Sequence, residues 1–201
     1  MSNNKERSVM GHLQGLSEYL DEFYNLSVFQ KALESNEFWE LHLHEHRIIK
    51  VRVLENLTYD IKSVSDQDMK EVIAKVQIKC LYPAETSESV RQLIKTDKKV
   101  KTLGLEPIFS PNHRYFVKNK SLFPLMKEKQ VVYFTMLEGE IMRGIIAGFS
   151  RYDIIVNLKS GIPVTLLRHG IYDLRDKKGR CYLKSFQQER RDWEKSSLFI
   201  G

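Results

Sequence analysis

The stretch "LLRHGIYDL" (166–174) carries the most suggestive side chains in this sequence. It begins and ends as a buried strand does, yet Arg168 and His169 sit side by side in its middle, with Gly170 directly after. Neighbouring side chains of a strand leave on opposite faces, so the two cannot share one core. At least one is expected to point at something outside, and the glycine lets that partner, or another backbone, come close. A second cluster, "LHLHEH" (41–46), places His42, His44 and His46 on one strand face and Glu45 on the other. Alternating histidines can ligate zinc or copper. An exposed strand face or a subunit contact is the preferred reading, so no metal and no cofactor are assigned. Nucleophile motifs, phosphate-binding glycine loops and paired-acid constellations do not occur, and no enzyme activity is expected.

The composition narrows the partners. The 201 residues suffice for one domain or two small ones, and 42% are hydrophobic, enough for a core. No stretch approaches the roughly 20 apolar residues of a membrane span, and "MSNNKERS" has no apolar signal core behind it. Cys80 and Cys181 form neither a disulfide framework nor a zinc ligand set and read as semi-buried thiols in a reducing cytoplasm. The net charge of +6 is unevenly spread: residues 1–83 carry −3 and residues 84–201 carry +9. A basic half suggests a polyanion partner; a solvated basic surface is the plainer explanation.

The elements that position these residues come in two sets. "NLSVF" (25–29) resembles "NKSLF" (119–123), "LTYDI" (57–61) resembles "SRYDI" (150–154), and "AKVQIKCL" (74–81) lies over "LRHGIYDL" (167–174), at offsets of 93 or 94. The spacing from Asp60 to Lys75 equals that from Asp153 to Arg168. Each unit opens with a helix. Ser27 and Gln30 have the form of a capping box, and Pro124 places the start of the second helix near Ser121, with its end near Lys129. Strands follow, with Trp39, Leu41 and Leu43 opposite Glu40, His42 and His44, and with turns at "EG" (138–139) and "KSG" (159–161). Gly144 inside a strand pattern marks a sharp bend or a close backbone. The fold expected is α+β, mostly β: two tandem small open barrels, each preceded by a helix. The organisation is a helical extension over 1–24 with Leu13, Leu16, Tyr19, Leu20 and Phe23 on one side, a divergent first unit over 25–83, a connector over 84–118 with a helix capped near Thr86 or Ser87, a second unit over 119–183 and a basic helical tail over 184–201.

The second unit resembles the Sm-like superfamily, and within it the bacterial Hfq-type RNA chaperones. The likeness is carried by "SLFPLMKEK", "LEGE", "GIIAGFSRYDIIVNLKSG" and "LLRHGIYDL", which stands where that family has a basic residue followed by histidine. The first unit matches more loosely: it lacks the glycines, and Val76 follows Lys75 where the histidine would stand. The resemblance implies six-membered rings built by pairing strand edges around a pore, which two units per chain would reach as a trimer forming a pseudo-hexamer. It also implies binding of uridine-rich single-stranded RNA on the helix-side face. Tyr152 matches the stacking aromatic, Arg151 stands where the family usually has glutamine, Arg168 replaces a lysine, and His169 matches the histidine. Tyr59 and Lys75 are the first-unit equivalents, a half-site expected to bind weakly or not at all. Asp60 and Asp153 correspond to turn-stabilising acids. The family's adenine-binding tyrosine falls at Thr135, so that function is not carried over.

Stacking and charge suit these roles, since every base offers a π face and arginine engages phosphate or lies flat on a base. Three structural roles compete: Tyr152 packed on the helix, Arg168 paired with Asp153 or Asp173, and His169 hydrogen-bonded at a subunit contact. The function expected is a cytoplasmic RNA chaperone in post-transcriptional regulation. The alternatives are a ring that serves as an assembly scaffold with lost RNA binding and, more remotely, a DNA-binding accessory protein.

Overall fold

The computed structural model describes residues 11–201. Strand β1 (His12–Leu13) and helix α1 (Leu16–Phe23) lead into the first repeat. That repeat runs α2 (Val28–Ser35), β2 (Phe38–Leu43), β3 (Ile48–Asn56), β4 (Asp60–Ser65), β5 (Lys70–Ala74) and β6 (Ile78–Pro83). The connector holds α3 (Ser87–Leu93), β7 (Lys95–Thr96) and α4 (Lys98–Lys101). The second repeat runs α5 (Asn119–Lys127), β8 (Val131–Met136), β9 (Glu140–Phe149), β10 (Asp153–Asn157), β11 (Pro163–Leu167) and β12 (Ile171–Asp176). Helix α6 (Lys184–Arg190) and strand β13 (Phe199–Ile200) close the chain. The fold is α+β. One large antiparallel sheet has the order β12-β8-β9-β10-β11-β6-β2-β3-β4-β5, with β7 added on β9, and β1 pairs with β13 apart from it.

The two halves of the sheet share one register. Phe38↔Arg52 becomes Val131↔Ile145, Asp60↔Ala74 becomes Asp153↔Leu167, and Leu43↔Ile78 becomes Met136↔Ile171, each shifted by 93 residues. The irregularity in β3–β4 between Val53 and Glu55 recurs in β9–β10 between Ile155 and Val156. Turn bonds repeat too: Lys75 N–H donates to Tyr59 O (2.8 Å) as Arg168 N–H does to Tyr152 O (2.9 Å). A bulge shifts every later side chain to the other face, so coincident bulges mean coincident facing along the strands.

The halves meet where β11 pairs with β6, through Thr165↔Leu81 and Leu166↔Cys80. Each half lends residues to the other's core: Leu167 packs into the first cluster, Cys80 and Tyr82 into the second. Gly144 is needed in β9, because a Cβ there would stand 2.3 Å from Asn157 O of β10.

Four details differ from the sequence reading. Helix α2 lacks the Ser27 side-chain cap; the Asp153 carboxylate of the second half accepts from Val28 N–H instead (3.3 Å), and Gln30 turns to Glu34 and Asn56. A buried carboxylate is the stronger acceptor for a helix N-terminus. Helix α5 starts at Asn119, two residues before Ser121. The expected helix over 1–24 is α1 alone among the described residues: residues 1–10 lie outside them, and Leu13 is a buried strand residue. Both cysteines, expected as semi-buried thiols, are fully buried; they are free, as expected. Among the described residues no helix is long and apolar enough to cross a membrane.

Candidate nucleic-acid interface

The β9–β10 turn is fixed from within. Ser150 N–H donates to Asp153 O (2.9 Å), and the Ser150 hydroxyl accepts from Tyr152 N–H (3.2 Å) and Asp153 N–H (3.3 Å). Asp153 is buried; burial pushes its carboxyl up, against the pull of Ser150, Val28 N–H and Arg168. With the acid held inside, the turn sends Tyr152 outward, 63% exposed, with the Arg151 guanidinium 5.4 Å from its ring centre. Arg151 N–H also donates to Tyr24 O (2.8 Å), which ties the segment after α1 to this turn. The result is an exposed aromatic–cation pair on a stiff support.

The equivalent turn in the first half exposes Tyr59 further, at 80%. Lys75 behaves differently. Its ammonium folds back onto Leu57 O and Thr58 O and lies 5.2 Å from the Phe29 ring centre, so it braces the Tyr59 turn. Burial lowers its pKa, opposed by Asp60.

Arg168 and His169 are not strand residues; they occupy a 3-10 turn, Arg168–Gly170, after β11. Strand alternation therefore does not govern them. The Arg168 guanidinium lies 5.5 Å from the Phe149 ring centre and donates through Nη1 to Val117 O (3.4 Å), while Nε and Nη2 are buried with no partner among the described residues. Burial lowers its pKa to about 10, against the pull of Tyr24, Asp153 and Tyr19. Asp173 pairs with Arg175 and not with Arg168. His169 Nε2 stands 2.8 Å from Ile78 O of β6. A carbonyl only accepts, so Nε2 carries the proton. Burial brings the His169 pKa down to about 4, so the ring is neutral. A Cβ on Gly170 would stand 3.1 Å from Lys79 Cα, so the backbone that approaches this glycine is β6. His169 and Gly170 thus face the junction between the halves, while Arg168 turns to the connector and to β9.

The histidines of "LHLHEH" divide. His42 is buried and its Nε2 meets Tyr82 Oη at 2.6 Å; Tyr82 donates to Glu40 (2.5 Å), which Arg91 of α3 clasps through Nε (2.8 Å) and Nη2. Burial pushes Glu40 up, but Arg91 and Tyr82 outweigh it and hold the acid at about 2. The expected exposed face is therefore covered, because the connector helix supplies the counter-charge that makes its burial tolerable. His44 is buried with neither ring nitrogen hydrogen-bonded among the described residues, its Nδ1 4.0 Å from Glu138. His46 is exposed in the β2–β3 turn, with Nδ1 3.5 Å from Glu138.

Glu138 is the centre of a cross-junction cluster the sequence did not announce. Its carboxylate accepts from Glu45 N–H (2.7 Å) and His46 N–H (3.2 Å), and Lys79 of β6 reaches both Glu138 and Glu140. Lys79 is 1% exposed. Burial pushes the Glu138 carboxyl up, but Lys79 and the two N–H groups prevail and leave its pKa below the usual carboxylate range. His46, Glu138 and Glu140 place ligand atoms within 4.8 Å of one another. The buried Lys79 ammonium bridges both carboxylates, so the geometry is that of a shared ion pair, and the three histidines do not converge on one point. A lysine between apolar neighbours in "QIKCLY" was the available signal for this cluster.

Comparison with protein-family models, with curated proteins and with solved structures finds no match.

Proposed function

We propose that the chain is a tandem Sm-like protein of the Hfq type, two small open barrels in one polypeptide, that binds single-stranded, uridine-rich RNA and acts in post-transcriptional regulation in the cytoplasm. The observation that carries the reading is the exposed Arg151–Tyr152 pair on its fixed turn, with Tyr59 at the same register position of the first half. The edge-to-edge β11–β6 junction supports it, since the resemblance implies units joined by strand edges. So does the basic half, 84–201, which would add phosphate contacts without sequence preference.

In this reading Tyr152 stacks on a base and Arg151 lies beside it or on a phosphate. Tyr59 offers a second, weaker platform. Arg168 and His169, engaged with Val117 and Ile78, hold the turn and the junction that carry the site. Their burial is also the observation that favours the second reading, an assembly scaffold that has lost RNA binding.

Fluorescence anisotropy with labelled oligo-U and oligo-A separates the two. RNA binding predicts a preference for oligo-U, a steep loss of affinity with salt, and a drop of roughly 5- to 100-fold for Tyr152→Ala, which corresponds to about 1–3 kcal/mol for one stacked base. Absence of binding at low salt by folded protein selects the scaffold. Equal competition by duplex DNA would point to a DNA-binding accessory protein instead.

A further inference from the structure

The two ends of the sheet are not alike. The internal junction uses Leu81 and Cys80 of β6, whose second-half equivalents are Leu174 and Asp173 of β12. That edge of β12 is closed by the chain itself. Tyr182 N–H donates to Leu174 O (2.9 Å), Asp176 N–H donates to Arg180 O (3.1 Å), and Arg175 bridges Cys181. The covering segment is anchored by the buried Cys181 and Tyr182, and Gln187 Nε2 donates to Cys181 O (2.9 Å).

The β5 end is open. Lys75 N–H donates to Tyr59 O, and Ser65 N–H donates to Met69 O (2.9 Å), so the odd-numbered residues of β5 bond to β4. The N–H and C=O groups of Lys70, Val72 and Ala74 therefore point away from the sheet. Among the described residues no strand pairs with them, and Val72 is 62% exposed. By register, Val72 is the counterpart of Thr165, the β11 residue that pairs across the internal junction.

A head-to-tail ring needs both a β5-type and a β6-type edge on every copy. Here β6 is paired on both sides and β12 is covered, so among the described residues the end of the large sheet that one copy can offer another is β5. One self-complementary edge closes by two-fold symmetry.

We propose that two copies of this chain join through antiparallel pairing of β5 with β5 of the partner copy, centred on Val72. Only even-numbered residues present outward groups, so the register moves in steps that keep them opposed. Centring on Val72 sets Lys70 opposite Ala74 and Glu71 opposite Ile73, with about six backbone hydrogen bonds. Centring on Glu71 sets two Glu71 side chains opposite each other, a like-charge pair that disfavours it. Centring on Ile73 draws Lys75, the first residue of a 3-10 turn, into the ladder. The pairing does not depend on RNA binding.

Light scattering on the eluting full chain tests this. The expected mass is about twice 23.7 kDa at micromolar concentration and falls to the single-chain mass for Val72→Pro. Proline is tolerated there because Val72 N–H serves no bond within the chain. Should that variant fail to fold, Val72→Lys sets two ammonium groups across the axis and is expected to dissociate the dimer with an unchanged urea midpoint of the monomer. A wild-type chain that is monomeric, a mass near three chains, or a dimer that survives Val72→Lys overturns the proposal.

Discussion

Replacing Lys79 by methionine tests the junction most directly. Lys79 is almost wholly enclosed and bridges Glu138 and Glu140 of the other half, one cation shared by two carboxylates. Methionine keeps the volume and removes the charge, leaving two partly exposed carboxylates facing a thioether. Removing one partner of a buried ion pair costs about 3–5 kcal/mol, because the charge left behind is uncompensated. The internal control is Lys62→Met. Its pair with Glu55 is also a direct contact, at 2.6 Å, but both side chains are about half exposed, so the loss should stay below about 1 kcal/mol. The pH dependence has a definite sign. In the wild type the folded-state pKa of Glu138 is depressed, so its contribution is present above its unfolded pKa and is lost as pH falls. In the variant the desolvation remains and the ammonium is gone, so the folded pKa rises. That penalty acts at neutral pH and is relieved as acid protonates the carboxyl. Urea unfolding at pH 7 and pH 5 should therefore show a gap between wild type and Lys79→Met that narrows on acidification. A cost no larger than that of Lys62→Met, or a gap that widens toward pH 5, refutes the reasoning.

Two further predictions concern the interior. His42, His44 and His169 have lowered pKa values through burial, so on acidification each takes up its proton more readily in the unfolded chain than in the folded one. Stability should fall as pH drops below about 6.5, and His169→Gln should flatten that slope by about 1.2 kcal/mol between pH 6 and pH 5, measured by urea unfolding; an unchanged slope contradicts the burial of the ring. Gly144→Ala should cost about 3 kcal/mol or more, since its Cβ meets Asn157 O at 2.3 Å, whereas Gly148→Ala, with its nearest atom at 3.5 Å, should change the thermal midpoint little. Equal effects of the two glycine changes would refute the close approach of β9 and β10.

The repeat was legible because it is written in turns. Asp60 with Lys75, and Asp153 with Arg168, sit at tight positions where few residue types serve, so their spacing survived where the strands diverged. Gly144 and the "EG" and "KSG" turns were legible for the same reason. What depends on distant partners was not. Asp153, and not Ser27, meets the start of α2; Arg91 of the connector makes Glu40 and His42 interior groups; Lys79 reaches acids 59 and 61 residues away. Alternation placed Arg168 and His169 on a strand, and a 3-10 turn removed them from that rule. Tyr152 was open to both an exposed and a packed reading, and only the course of the chain around its turn decided between them.

The β11–β6 junction joins two parts of one molecule. Dilution cannot separate them, and neither half has to recruit the other from solution. It also frees the halves from sameness. In an assembly of identical subunits, every substitution recurs at each position, so a feature lost once is lost everywhere. Here Lys75 can brace a turn while Arg168 lies over a phenylalanine, and Val76 can replace a histidine without touching the contact His169 makes with Ile78. One chain can therefore keep a specialised surface on one half and spend the other on holding it in place.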